Sequence, residues 1–197
     1  MRSGLRPRAV AALRAFWGAR QGVSAVEFAL VAPVFCLLMV AAIDFGAAGF
    51  TRFNITSAVS SATAAALVRS DDVTAAAGAG LASSLANLMT TQDAAFRPTS
   101  VEVVVNNGPK AVVTNGGSPA LSGTAANADS CYCPQKSGTT ITWGSAQTCG
   151  NSCTGGGKAG KFVQIVARRT YTPLFPVAAD LFMPGGALRV DAIVQVQ

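Results

Sequence analysis

Gly22-Val23-Ser24-Ala25-Val26-Glu27-Phe28-Ala29-Leu30-Val31-Ala32-Pro33-Val34-Phe35-Cys36-Leu37-Leu38-Met39-Val40-Ala41-Ala42-Ile43-Asp44-Phe45-Gly46 is the stretch whose reading decides the rest of the chain. No charge interrupts it over the 16 residues from Phe28 to Ile43, a run slightly shorter than the ~18 that mark a membrane helix. Carried on through Asp44 to Phe50 it reaches 23 residues. That is about 34 Å of helix, enough for a hydrocarbon core of about 30 Å. Pro33 in mid-span reads as a kink that neighbouring packing can satisfy. Upstream stand Arg2, Arg6, Arg8, Arg14 and Arg20 with no acid among them. That asymmetry holds the N-terminus in the cytoplasm and sends the C-terminal bulk across the membrane. The chain therefore divides into a basic leader (1–22), a transmembrane helix (23–50), a helical region (51–96) and an exported, β-rich domain (97–197).

A simple anchor has no use for Glu27, which stands five residues after Gly22 and just before the apolar run. A carboxylate at the bilayer centre costs about 2.5–3.5 kcal/mol on insertion scales, and less near an end. It becomes useful if the chain is cut between Gly22 and Val23. The cut creates a positive amine one helical turn from Glu27, and the carboxylate can pair with that amine or with a neighbouring subunit's. Asp44 lies roughly 100° around the helix from Glu27, so the two acids form no common polar stripe and no ion path.

The pattern Gly22, Glu27, Phe28, Ala29, Leu30, Pro33, then Asp44, Phe45 and Gly46, resembles the prepilins, and more closely the TadE-like proteins of tight-adherence pilus systems. The resemblance implies a minor pilin-like subunit, or pseudopilin, of a type IV pilus or related secretion machine. It also implies cleavage by a prepilin peptidase at Gly22–Val23, with Glu27 and Phe28 completing the processing signal. The implied partners are inner-membrane lipid, other pilin-like subunits and an assembly platform. Such a chain would be single-pass, with its C-terminal domain periplasmic, and would serve adhesion by entering the fibre or assisting its assembly. Two other readings stay open. One is an uncleaved bitopic anchor carrying an extracytoplasmic binding module, with Glu27 snorkelling to the interface. The other is a secretory signal peptide removed near Ala47-Ala48-Gly49, whose apolar core would be long and whose cleavage region would hold an acid.

The net charge of +6 over 197 residues suggests a nucleic-acid footprint only until it is located. Five of the basic residues lie in the leader, and from Val23 onward ten basic side chains face nine acidic ones. The basicity is a topology signal, and nucleic acid is not an expected partner. There is no histidine, which removes the usual general base and the commonest metal ligand. No catalytic constellation stands out, so no enzyme activity and no cofactor are expected. Gly155-Gly156-Gly157-Lys158 fails the phosphate-loop pattern because Lys158 is followed by Ala159.

After the apolar run, Ile55, Val59, Ala62 and Ala66 fall at helical spacing, so the helix is expected to continue beyond the membrane. Ser70-Asp71-Asp72 offers a cap and an acidic first turn for a second helix. Leu81, Leu85 and Leu88 give that helix a stripe, with Gly78 and Gly80 weakening its start. Arg97-Pro98 ends the helical part. Val101–Val105 and Ala111–Thr114 read as strands around the turn Asn106-Asn107-Gly108-Pro109. Phe162–Thr172 is a third strand, with Arg168-Arg169 giving one solvated face and one contact. Pro173-Leu174-Phe175-Pro176 is a stiff link, and Asp180-Leu181-Phe182-Met183-Pro184 leads to Gly185-Gly186. A last strand alternates, with Leu188, Val190, Ala192, Val194 and Val196 on a buried face and Arg189, Asp191 and Gln195 opposite. Helices first and strands later predict α+β: a long N-terminal helix packed with a small antiparallel sheet that carries a cysteine-rich loop.

Residues 115–160 are a long polar excursion holding Cys131, Cys133, Cys149 and Cys153. Cys36, in the apolar run, is expected to be a small buried residue. A four-thiolate zinc site fits the count of the clustered cysteines, but the spacings are not paired Cys-x-x-Cys knuckles. The exported topology favours disulfides. Residues two apart bridge poorly, so Cys131 is expected to pair with Cys149 or Cys153, and Cys133 with the other.

Overall fold

The computed structural model describes residues 21–91, 97–173 and 186–197. Residues 1–20 of the leader read at 1–22, and the links read at 174–185, lie outside the described residues. A helix, α1, spans Gln21–Val68 with Pro33 inside it. The chain forms two compact units, Met1–Phe45 and Gly46–Gln197. In the second unit α1 turns Ile55, Ala58, Val59, Ala62 and Ala66 inward, all buried. Their spacing of three and four residues is one helical stripe. The polar residues between them stay in the helix by bonding backward: the Thr51, Thr56, Ser61 and Thr63 hydroxyls each donate to the carbonyl four residues earlier.

Ser70–Asp72 is a 3-10 turn and does not cap a helix. Its acid is engaged elsewhere, because Arg69 reaches Asp72 at 2.7 Å. The second helix, α2, begins later, at Gly78, and runs to Thr90. The Gly78 N–H bonds the Thr74 carbonyl and the Ala77 N–H bonds the Thr74 hydroxyl. Gly78 is needed for close approach, since a Cβ there would sit 3.1 Å from Pro109 Cγ. Its buried arc is Leu81, Ala82, Leu85, Ala86 and Met89, while Leu88 is 43% exposed. The expected stripe is thus rotated, with alanines filling the close contact with the sheet and Leu88 left outside it.

Among the described residues seven strands follow: β1 Ser100–Val105, β2 Lys110–Thr114, β3 Ala120–Ser122, β4 Gln135–Ser137, β5 Thr140–Thr142, β6 Phe162–Thr170 and β7 Ala187–Gln195. Five form a sheet in the order β3-β2-β1-β6-β7, and β4-β5 is a separate hairpin. All pairings are antiparallel. The inner face carries Val101, Val103, Val105, Ala111, Val113, Val163, Ile165 and Ala167, packed with α1 and α2 into one core. This is an α+β fold with helices on one face of the sheet.

β7 departs from expectation. Leu188, Val190, Ala192, Val194 and Val196 do lie on the core side, yet they are only half-buried. The reason is position: β7 is an edge strand, and α2 packs over β1 and β2 at the other end of the sheet. On the outer face, Glu102 and Lys110 pair at 2.7 Å. The β4-β5 hairpin crosses β7 there. Lys136 pairs with Asp191, and the Arg189 guanidinium donates to the Thr139 carbonyl at 2.6 Å. Arg169 turns back to donate to the Arg97 carbonyl, while Arg168 is exposed.

Candidate functional site

Two groups of residues carry the chemistry, and they fall in different units. The first is the N-terminal half of α1. From Ser24 onward this helix is long and apolar enough to cross a membrane, and none of its most apolar window is buried. Phe28 is 74% exposed and Leu30 73%. Phe35, Leu38 and Ile43 are likewise exposed. A helix that is apolar all round is stable only when lipid or other helices cover it. Cys36 is exposed for the same reason, contrary to its expected burial.

Gly22 and Val23 lie in the helix, and the side chains described begin at Ser24. Glu27 is exposed and, among the described residues, makes neither hydrogen bond nor ion pair. It is a carboxylate on an apolar rod, one turn from the Gly22–Val23 bond. Glu27 and Phe28 stand side by side along the helix, as the sequence requires. The basic leader that would present the bond to a peptidase lies outside the described residues.

The second group is the polar excursion between β2 and β6. Cys131 is bridged to Cys149 and Cys133 to Cys153, with Cα–Cα distances of 5.1 and 5.7 Å. The two bridges interleave. The thiolate-zinc alternative is overturned for these four cysteines, because all are in disulfides. Among the described residues no cluster of His, Cys, Asp or Glu could hold a metal.

The excursion is more than a bridged appendage. β3 extends the sheet, Tyr132 and Gly160 exchange backbone hydrogen bonds, and Cys131, Tyr132 and Ala159 are buried. The Tyr132 and Trp143 rings meet edge to face at 6.1 Å. Asp129 accepts a hydrogen bond from the Ala75 N–H at 2.9 Å, tying the excursion to the helical layer. At Gly123, with φ +90°, a Cβ would collide with the Gly108 carbonyl oxygen.

Sequence reasoning missed the residue that holds this join. Asn106 is fully buried. Its amide donates to the carbonyls of Asn127, Ala128 and Ser130, and its Oδ1 accepts the Phe162 N–H. One side chain thus fixes the end of β1, the approach to Cys131 and the start of β6. Its visible signal is two asparagines in a row, both with φ near +50 to +56°. That conformation suits Asn, and in the sequence the pair signals only a turn.

Exchanging both Cys133 and Cys153 for serine is expected to cost about 3 kcal/mol on the chain-entropy model. Urea unfolding without reductant measures it. Hydrogen exchange should rise within 131–160 while β1 and β6 stay protected. Loss of protection throughout the sheet would make the bridge a condition of the whole core.

No curated protein and no solved structure matches the chain. The family model described as TadE-like protein matches residues 22–64, a segment that ends inside α1 and includes no part of the sheet. The N-terminal stretch is therefore TadE-like, and through it the chain is associated with the tight-adherence pilus systems.

Proposed function

We propose that this chain is a minor pilin-like subunit of a tight-adherence pilus or a related secretion machine. It is held in the inner membrane by α1 until assembly, with its β-domain on the extracytoplasmic side. It works as a structural subunit, without a reaction of its own. A prepilin peptidase removes the basic leader after Gly22. Other pilin-like subunits and an assembly platform then take up the exposed helix. The observation that carries this reading is Glu27, an exposed carboxylate at the head of the uncharged run Phe28–Ile43 and five residues after Gly22. A bare anchor gains nothing from that charge, whereas a helix leaving lipid for a bundle of like helices gains a partner for each new N-terminus.

N-terminal sequencing of the membrane-extracted protein tests the proposal. The mature chain should begin at Val23, and Gly22→Leu should leave the leader attached by crowding the peptidase's approach to the bond. An intact Met1 in cells with an active prepilin peptidase overturns the pilin reading in favour of an uncleaved anchor. A terminus near Gly49 would mark a secretory signal peptide.

A further inference from the structure

On the outer sheet face, opposite the helices, a cleft of about 500 Å³ lies between the bridged excursion and the sheet. One wall is the chain from Cys133 to Lys136, and the other is the glycine turn from Gly155 to Lys158. Phe162 and Gln195, paired across β6 and β7, also line it. The Cys133–Cys153 bridge joins the two walls. This explains why so polar a segment is cross-linked: glycines at positive φ cannot hold a wall in place unaided.

The lining has a definite chemistry. Among the described residues that line the cleft there is no carboxylate. Of the two cations that line it, Lys136 pairs with Asp191, which Arg189 also approaches at 3.7 Å, and the exposed Lys158 makes no ion pair among the described residues. Two primary amides, of Gln135 and Gln195, line it. Gln135 donates through Nε2 to Thr154, and Gln195 through Nε2 to the Gln197 carbonyl. Each amide also carries an oxygen that can accept from a ligand. Phe162 supplies an apolar ring. One available cation is too few for a polyphosphate or nucleic acid, which call for several. Amides and glycine backbone make a poor lining for a hydrocarbon.

We propose that this cleft binds a hydroxylated ring bearing one carboxylate, the repeating unit of an acidic polysaccharide. The Lys158 ammonium takes the carboxylate in a charge-assisted hydrogen bond. Gln135 and Gln195 bracket neighbouring hydroxyls, each able to donate and accept. Phe162 covers the ring's apolar face by dispersion contact. The site adds a surface-recognition role to the β-domain and does not depend on how the N-terminal helix is processed.

The test is titration calorimetry on the full chain in detergent micelles, with tetragalacturonate as probe and maltotetraose as its neutral counterpart. Saturable binding of one tetragalacturonate per chain is expected, with maltotetraose at least about tenfold weaker, the loss of one charged hydrogen bond. Lys158→Ala, at an exposed position, should weaken the uronate by the same factor. Arg168→Ala, farther along the same outer face, should leave it within twofold. Reduction and alkylation of the bridges should abolish binding. The proposal is overturned by absent or unsaturable uronate binding, or by equal affinity for the neutral sugar. It is also overturned by an equal loss in Arg168→Ala, unchanged affinity in Lys158→Ala, or full binding after reduction.

Discussion

Asn106→Ala is expected to destabilise the β-domain by about 4 kcal/mol, the sum of two buried partners left unsatisfied at about 1–3 kcal/mol each and a left-handed backbone strained by about 1–2 kcal/mol. The partners are the Ala128 carbonyl, 3.0 Å from the amide nitrogen, and the Phe162 N–H, 3.2 Å from Oδ1. The Ser130 carbonyl loses its bond to the same amide. Asn106 has φ +50°, which alanine adopts only with strain and glycine adopts freely. Asn106→Gly therefore separates the two terms. It should keep the hydrogen-bond loss while recovering about 1 kcal/mol. Asn106→Asp should also be damaging, because a carboxylate would face three carbonyl oxygens. Urea midpoints of the three variants at equal slope measure the series. A loss below about 1 kcal/mol for alanine would mean that water replaces the side chain and that the join is not closed by Asn106.

The position of Asn106 also marks where the sequence stops being legible. The long helix could be read because an uncharged run of apolar residues has few alternatives, and its continuation was visible in the spacing of Ile55, Val59, Ala62 and Ala66. β1, β2, β6 and β7 were visible for a similar reason: alternation with period two follows from one face being buried. β3, β4 and β5 were not visible. Each is three residues long and almost wholly exposed, and each is held by backbone pairing that leaves no apolar pattern. Ser70-Asp71-Asp72 had the composition of a cap, yet Arg69 draws Asp72 into a side-chain pair. α2 starts instead where a glycine lets it approach Pro109. The half-burial of β7 depends on strand order, which alternation within a strand does not encode. The cysteines announced bridges, but both pairings across the gap satisfied the spacing. The observed choice goes with the backbone bridge between Cys131 and Gln147, two residues before Cys149, a contact that spacing alone does not encode. The cleft is similarly hidden, since its walls come from three separate parts of the chain. Glu27, by contrast, was legible at once, because a charge among apolar residues needs no three-dimensional context to be conspicuous.

Glu27→Ala is expected to leave cleavage and membrane insertion largely intact while abolishing incorporation into a fibre. The substitution removes a charge from the membrane helix, so insertion should become slightly easier. Gly22 and Phe28 remain, so the peptidase still meets its bond. The consequence appears only when the helix leaves lipid and packs among others. In the proposed assembly each processed chain would bring a positive amine at Val23 into a bundle of apolar side chains. Glu27 would supply the compensating charge there, on its own chain or its neighbour's. With alanine the amine is buried unpaired, and breaking a buried pair in this way costs about 3–5 kcal/mol. That corresponds to more than a hundredfold in subunit association. Glu27→Gln should rescue little, since an amide offers the amine a hydrogen bond but no charge. Glu27→Asp should rescue in part, because it keeps the charge on a shorter arm. The measurement is the amount of variant chain in sheared pili relative to membranes, with the variant as sole copy and its N-terminus sequenced. Normal fibre content for Glu27→Ala, with Val23 as the mature terminus, would separate processing from pairing and leave the carboxylate a role in peptidase recognition alone.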